Sequence, residues 1–299
     1  MSVEVQLVSK LYGKQLALDE VSFKIKKGEI TGLLGPNGAG KSTMMKILTC
    51  YIQQSGGRVN VAGFDVLEEA MSVKKQVGYL PEHNPLYKEM YIKEYLAFCC
   101  GVHGVKNSDK VIKEMVALTG LTLEQHKKIG ALSKGYRQRV GLAQAMIHNP
   151  SVLILDEPTT GLDPNQLVEI RNLIKEIGRE KTVILSTHIM QEVAAVCSRA
   201  LIINKGKLIA DEHITDLKNK FGTSGIIVVF SEPINKEKLR NHFPKKVSIQ
   251  ILNDTRIQLG GAEDLSTQVM QFALNEKYQI ASIEPTQADL ETIFHQLTK

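Results

Sequence analysis

Gly35, Pro36, Asn37, Gly38, Ala39, Gly40, Lys41, Ser42 and Thr43 match G-x-x-x-x-G-K-S/T at every specified position. The chemistry of that spacing is the cradling of phosphate groups in a P-loop. Glycines let the main chain curl until several backbone N–H groups converge on one anion. In such a loop Lys41 reaches the β- and γ-phosphates of a nucleoside triphosphate, and the Ser42 hydroxyl sits on the Mg2+ that bridges them. Further along, Val152, Leu153, Ile154 and Leu155 lead straight into Asp156 and Glu157. An Asp at the end of a buried strand beside a P-loop holds Mg2+. The Glu next to it is placed to orient and polarise an attacking water. His188 follows a further apolar strand, 181–186, and from that edge it is expected to meet the γ-phosphate. Glu82, at the end of Val77–Leu80, adds a carboxylate facing the same ligand.

These side chains need an α/β frame to hold them. Residues 29–34 form a short apolar run before the P-loop and 41–49 a helix after it, giving the strand, loop, helix order that phosphate binding requires. The helix adds free N–H groups and the positive end of its dipole. Before the P-loop, residues 3–27 alternate apolar and polar with Gly13 at a turn, as antiparallel strands do. Tyr12 closes the first of them, where its ring can stack on an adenine face. Residues 56–63 read as a hairpin strand, and Val77–Leu80 as a central strand of the main sheet. From Pro85 to about Gly130 the spacing is helical, and Ser133 and Gly135 stand directly before another apolar helix, a second anion-binding N-terminus. Pro158 to Pro164 forms an acidic loop containing Asp163.

In this order and spacing the motifs resemble the ATP-binding cassette of ABC transporters over about residues 3–215. The resemblance implies a P-loop NTPase with a RecA-like core, an antiparallel β subdomain and a helical subdomain at about 84–150, all within a nucleotide-binding domain at 1–220. It implies ATP and Mg2+ as ligands, Tyr12 as the adenine-stacking ring, and Gly35 through Thr43 as Walker A. Asp156 becomes the Walker B magnesium carboxylate, Glu157 the catalytic base, His188 the switch histidine and Asp163 the D-loop acid. Ser133 and Gly135 lie in the signature motif, which reads Leu132, Ser133, Lys134, Gly135, Tyr136 where the family usually has LSGGQ. Glu82 stands where the family usually has Gln, and a carboxylate serves a hard cation at least as well. The family pairs two such domains head to tail, so the resemblance implies a homodimer, or a pair with a related subunit, working on a separate integral membrane permease. The expected location is the cytoplasmic face of the inner membrane. Tyr79 to Glu82 and Gly161 to Pro164 are similar to the ATPases of ABC-2-type exporters. The runs Tyr79–Tyr87 and Gly130–Gly141 resemble the subgroup of ATP-binding subunits associated with gliding motility in Bacteroidetes.

Composition agrees with a large nucleotide-binding domain plus one small domain in 299 residues. The net charge of +5 is mild and no block of Lys and Arg stands out, so no nucleic-acid footprint is expected. The four cysteines show no zinc or redox spacing and are expected as free thiols. No secretory signal is visible, and no apolar run reaches the ~18 residues of a membrane span. Motifs of the non-transport relatives are missing: the cassette occurs once, and no sustained heptads separate P-loop and signature. A nucleotide sensor without turnover would be expected to lack Glu157 or His188. After Asp216 the pattern becomes β-α-β-β-α-β, with strands at 225–230, 246–252, 255–259 and 279–284, helices at 235–243 and 265–277, and a last helix at 287–296. That order predicts a ferredoxin-like accessory domain at 221–299 with no catalytic role.

Overall fold

The computed structural model describes residues 1–221, 225–244, 247–261, 265–286 and 290–298. Strand β1 (Val3–Tyr12) turns at Gly13 into β2 (Gln15–Ile25), pairing antiparallel from Val3 with Ile25 to Tyr12 with Gln15. Val3 and Val5 are buried, as alternation requires, and a register shift between Val5 and Val8 then buries Val8 and leaves Leu7 exposed. Then come β3 (Ile30–Leu34), α1 (Lys41–Leu48), β4 (Gly56–Val61), β5 (Phe64–Asp65), α2 (Ala70–Gln76) and β6 (Val77–Leu80). Strands β2, β1, β4 and β5 make an antiparallel sheet in that order.

The helical insert carries α3 (Ile92–His103) and α4 (Ser108–Leu118), then a 3₁₀ turn at Ile129–Ala131 and α5 (Lys134–Met146). Only part of the run 85–130 is helical, because Gly104 and Gly120 take positive φ and end α3 and α4. Ile92, Leu96, Cys100, Ile112, Val116 and Val140 give the insert a core of its own.

Next come β7 (Val152–Asp156), α6 (Pro164–Ile177), β8 (Thr182–Ser186), α7 (Met190–Val196), β9 (Arg199–Asn204), β10 (Lys207–His213) and α8 (Ile214–Phe221). The main sheet runs β10-β9-β3-β8-β7-β6, parallel throughout except for β10. Its middle strands are buried on both faces, which is why Val152–Leu155 and Val183–Leu185 read as unbroken apolar runs. Val77–Leu80 was expected in the centre of this sheet and instead forms its edge, paired only with β7. It looks central in sequence because Val77, Gly78 and Leu80 are buried under covering elements; a Cβ on Gly78 would stand 2.1 Å from the Ala145 carbonyl of α5. Helix α1 joins the two sheets. Met44, Met45, Ile47 and Leu48 share one core with Val5 and Ile25 on one side and Leu33, Ile154 and Ile184 on the other.

The chain divides into two compact units, Met1–Ile214 and Thr215–Leu297. The second contains β11 (Gly225–Phe230), α9 (Lys236–His242), β12 (Ser248–Ile251), β13 (Arg256–Gly260), α10 (Leu265–Glu276), β14 (Ile280–Thr286) and α11 (Leu290–Thr298). Its sheet is antiparallel with order β12-β13-β11-β14, the arrangement of a split βαβ. Phe230 and Phe272, rings edge to face at 6.3 Å, anchor its core with Leu239 and Val269. The expected starts of a strand at Lys246 and of a helix at Gln287 lie outside the described residues. Among the described residues no helix is long and apolar enough to cross a membrane.

Candidate nucleotide-binding site

The P-loop bridges β3 and α1, and two of its glycines answer different demands. Gly40 has φ 113°, a region L side chains rarely adopt, and a Cβ there would meet the Ala17 carbonyl at 2.7 Å. Gly35 is ordinary in φ, but its Cβ would stand 2.2 Å from the carbonyl of Ile203 on β9. Gly35 therefore serves strand packing, while the open space around Gly38 faces the ligand. No side chain caps the α1 N-terminus and no acidic residue in its first turn neutralises the positive end of the dipole, so its N–H groups are available to an anion.

A cavity of about 440 Å3 opens over this loop. It is lined by Asn37 through Thr43, by Tyr12, and by Glu82, Asp156, Glu157 and His188. Tyr12 is half exposed, lines the cavity, and has Lys10 over one face of its ring at 5.2 Å. A larger cavity, about 600 Å3, lies between β6 and the helical insert beside Tyr79, Asn84, His103 and His148. It has no phosphate loop, so the smaller cavity is the nucleotide site.

Charge in the smaller cavity is arranged for a magnesium-bound anion. Lys41 is buried, and its Nζ donates to the carbonyls of Gly35 at 2.7 Å and Pro36 at 3.2 Å. Burial lowers its pKa, while Glu157, Asp156 and Glu82 hold it up. Burial pushes the Asp156 carboxyl up and Glu157 and Glu82 push the same way, while the neighbouring Ser186 hydroxyl and, less strongly, Lys41 pull it back. Asp156 Oδ1 is buried without a hydrogen-bond partner. An orphaned carboxylate oxygen at a strand end, sharing a cavity with the Ser42 hydroxyl and Glu82, fits a hard divalent cation.

Glu157 follows β7 with φ 49°, a left-handed conformation that costs a non-glycine residue on the order of 1–3 kcal/mol. Its N–H donates to the Ser186 carbonyl at 3.0 Å, tying it to the end of β8, and its carboxylate meets the residues just beyond. There His188 Nδ1 lies 2.9 Å from Oε1 and 3.0 Å from Oε2, and Thr160 donates to Oε2 at 3.2 Å.

Ser133, Gly135 and Asp163 do not line this cavity. Ser133 caps α5, accepting from Tyr136 N, and is itself exposed. Asp163 caps α6, accepting from Gln166 N at 2.9 Å with Pro164 at the first helical position. Asp163→Ala is therefore expected to lower stability by about 1 kcal/mol, read as the urea midpoint of the nucleotide-free protein. A midpoint unmoved by the substitution would remove the cap from this account. Sequence reasoning missed Gln15, Ala17, Thr160 and Ser186, which also line the cavity. Gln15 pairs with Tyr12 across the hairpin, a register readable from the turn at Gly13.

A phosphate loop at the mouth of a parallel sheet, with acids at the end of the neighbouring strand, defines a P-loop nucleoside triphosphatase. Comparison with known proteins narrows the class. The ABC transporter family model matches residues 18–160, and a second model, described as an AAA domain and AbiEii toxin, matches 128–194. The chain is 32% identical to the linearmycin resistance ATP-binding protein LnrL of Bacillus subtilis, over 99% of this chain and 98% of that one. It is 33% identical to the bacitracin transport ATP-binding protein BcrA of Bacillus licheniformis, over 71% of this chain and 70% of the relative. A dimeric ATP-binding cassette solved in a post-hydrolysis state with ADP and Pi superposes with TM-score 0.65 at 25% identity, covering 71% of this chain and 98% of that one. The chain belongs to the ATP-binding proteins of ABC transporters, and it is an ATP-hydrolysing transporter subunit.

Proposed function

We propose that the chain works as one of a pair of ATPase subunits, most simply two identical copies, that energise an exporter of the ABC-2 type. The observation that carries the pairing is the incomplete cavity. The cradle, the acids and the histidine line it, while exposed Ser133 and buried Gly135 stand elsewhere in the same chain. A second copy would bring its Ser133 and Gly135 over the phosphates held by Lys41. Asp163, exposed at the start of α6, would lie near that junction. Asp156, Ser42 and Glu82 are the residues that would hold Mg2+, which when bound offsets charge on the phosphates. Tyr12 stacks on the base, Glu157 takes the proton of the attacking water, and His188 holds Glu157 and the γ-phosphate in register.

The exporter reading rests on the relatives named for linearmycin resistance and bacitracin transport. A permease would provide the membrane span, and the pair would sit on it at the cytoplasmic face of the inner membrane. Exposed Tyr87, Phe98 and Val102, which line a separate small cavity of about 210 Å3, offer the insert an apolar face for it. A role in gliding motility is the finer reading suggested by Tyr79–Tyr87 and Gly130–Gly141; cells lacking the chain that glide normally would end it.

Co-purification from native membranes tests the reading: a spanning subunit should come down with the chain, and recovery with none, from intact membranes, counts against it. Among the described residues, those that line the cavity all precede Thr215. A chain cut after Asp216 is expected to bind ATP with affinity within about threefold of the full protein, by calorimetry. Loss of binding by a folded truncation would give the second unit a direct part in the site.

A further inference from the structure

Glu192 is 0% exposed, and its Oε1 has no hydrogen-bond partner. A carboxyl oxygen left unpaired in the interior costs about 1–3 kcal/mol, which a leucine of similar volume would avoid. What the carboxyl supplies and a leucine cannot is an acceptor. Thr187, also 0% exposed, donates its hydroxyl to Glu192 Oε2 at 2.9 Å. With its proton committed there, the same Thr187 oxygen accepts from Ile189 N at 3.1 Å. The two bonds close a small turn around His188, the residue between them, whose ring meets Glu157 at 2.9 Å. His188 itself is more than half exposed, so its ring is not held by packing. Its place is set by the backbone that Thr187 and Ile189 fix.

We propose that Glu192 is a positioning residue for hydrolysis, acting through Thr187 to lock the turn that presents His188 to Glu157. It lies outside the cavity lining. The inference rests on the proposed roles of His188 and Glu157. Loosening a group of this kind by a fraction of an ångström slows chemistry while leaving nucleotide binding in place.

Turnover is measured for Glu192→Leu, Glu192→Gln, Thr187→Val, Thr187→Ser and His188→Ala, together with the melting temperature of each. Glu192→Leu and Thr187→Val are expected to lower kcat about tenfold, with KM for ATP within about twofold. Thr187→Ser keeps the hydroxyl and Glu192→Gln keeps an acceptor, so both should recover most of that loss. Placed on His188→Ala, Thr187→Val should remove nothing further, because the group it positions is gone. The proposal fails if Thr187→Val, which preserves the shape of the side chain, turns over like the parent. It fails equally if the tenfold loss persists on the His188→Ala background. A His188→Ala protein as active as the parent would overturn the role of His188 and this inference together. A crippled His188→Ala beside an unaffected Thr187→Val strikes this inference alone.

Discussion

Glu157→Gln is expected to lower ATP turnover at least about a hundredfold while leaving ATP binding within about threefold of the parent. The amide is the same size as the carboxylate and can adopt the same left-handed backbone, so the site keeps its shape. Its oxygen still accepts from His188 Nδ1, which in the native chain lies 2.9 Å from the carboxylate. What the amide lacks is a basic oxygen to take the proton of the attacking water. Removing one negative charge from the wall shared with Asp156 and Glu82 also eases the approach of a triphosphate. Bound but unhydrolysed ATP should therefore accumulate, and if Ser133 and Gly135 close over the nucleotide from a second copy, the variant with ATP should sediment as a dimer. Steady-state turnover, calorimetry and analytical ultracentrifugation check the three parts. Undiminished turnover would remove Glu157 from the role of base. Loss of turnover without a dimer would leave the base in place and remove the cap from a second copy.

The cavity wall was legible in sequence because its side chains follow from strand ends: a residue at the C-terminal end of a buried parallel strand faces the ligand edge wherever the strand sits. That is why Asp156, Glu157 and His188 meet although 31 residues separate Glu157 from His188. Lateral order is a different matter, since Val77–Leu80 is as apolar as a central strand yet forms the edge under α5. Helix α6 was readable and passed over. Asp163 followed by Pro164, with apolar residues at 167, 170, 174 and 177, is a cap, a first-turn proline and a helical stripe. The acidity of the preceding loop drew it into the ligand reading instead. Thr187 and Glu192 carried no legible signal, because a buried acid and a surface acid on a short helix look alike until the neighbours are known.

Lys41→Ala is expected to abolish hydrolysis, with a loss of at least about a hundredfold, and here binding falls with it. Lys41 is 7% exposed and shares the cavity with three carboxylates, Glu82, Asp156 and Glu157, all of which repel a triphosphate. Its ammonium donates to the carbonyls of Gly35 and Pro36, which hold the charge within the loop. Alanine deletes the cation that both neutralises the wall and reaches the phosphates, and leaves those carbonyls without their donor. The loss should be graded by ligand, larger for ATP than for ADP, since the ammonium serves the β- and γ-phosphates. Lys41→Arg should not restore activity, because a planar fork cannot replace a point charge in so closed a place. Calorimetry with ATP and ADP on all three proteins checks this. Equal losses for both nucleotides would mean that Lys41 shapes the loop and does not read the γ-phosphate. Set beside Glu157→Gln, which binds and does not cleave, a Lys41→Ala protein that does neither separates the cradle from the base. An intact Lys41→Ala affinity for ATP would show that the backbone N–H groups of 37–43 suffice, and would shift the neutralising charge to Mg2+ held at Asp156.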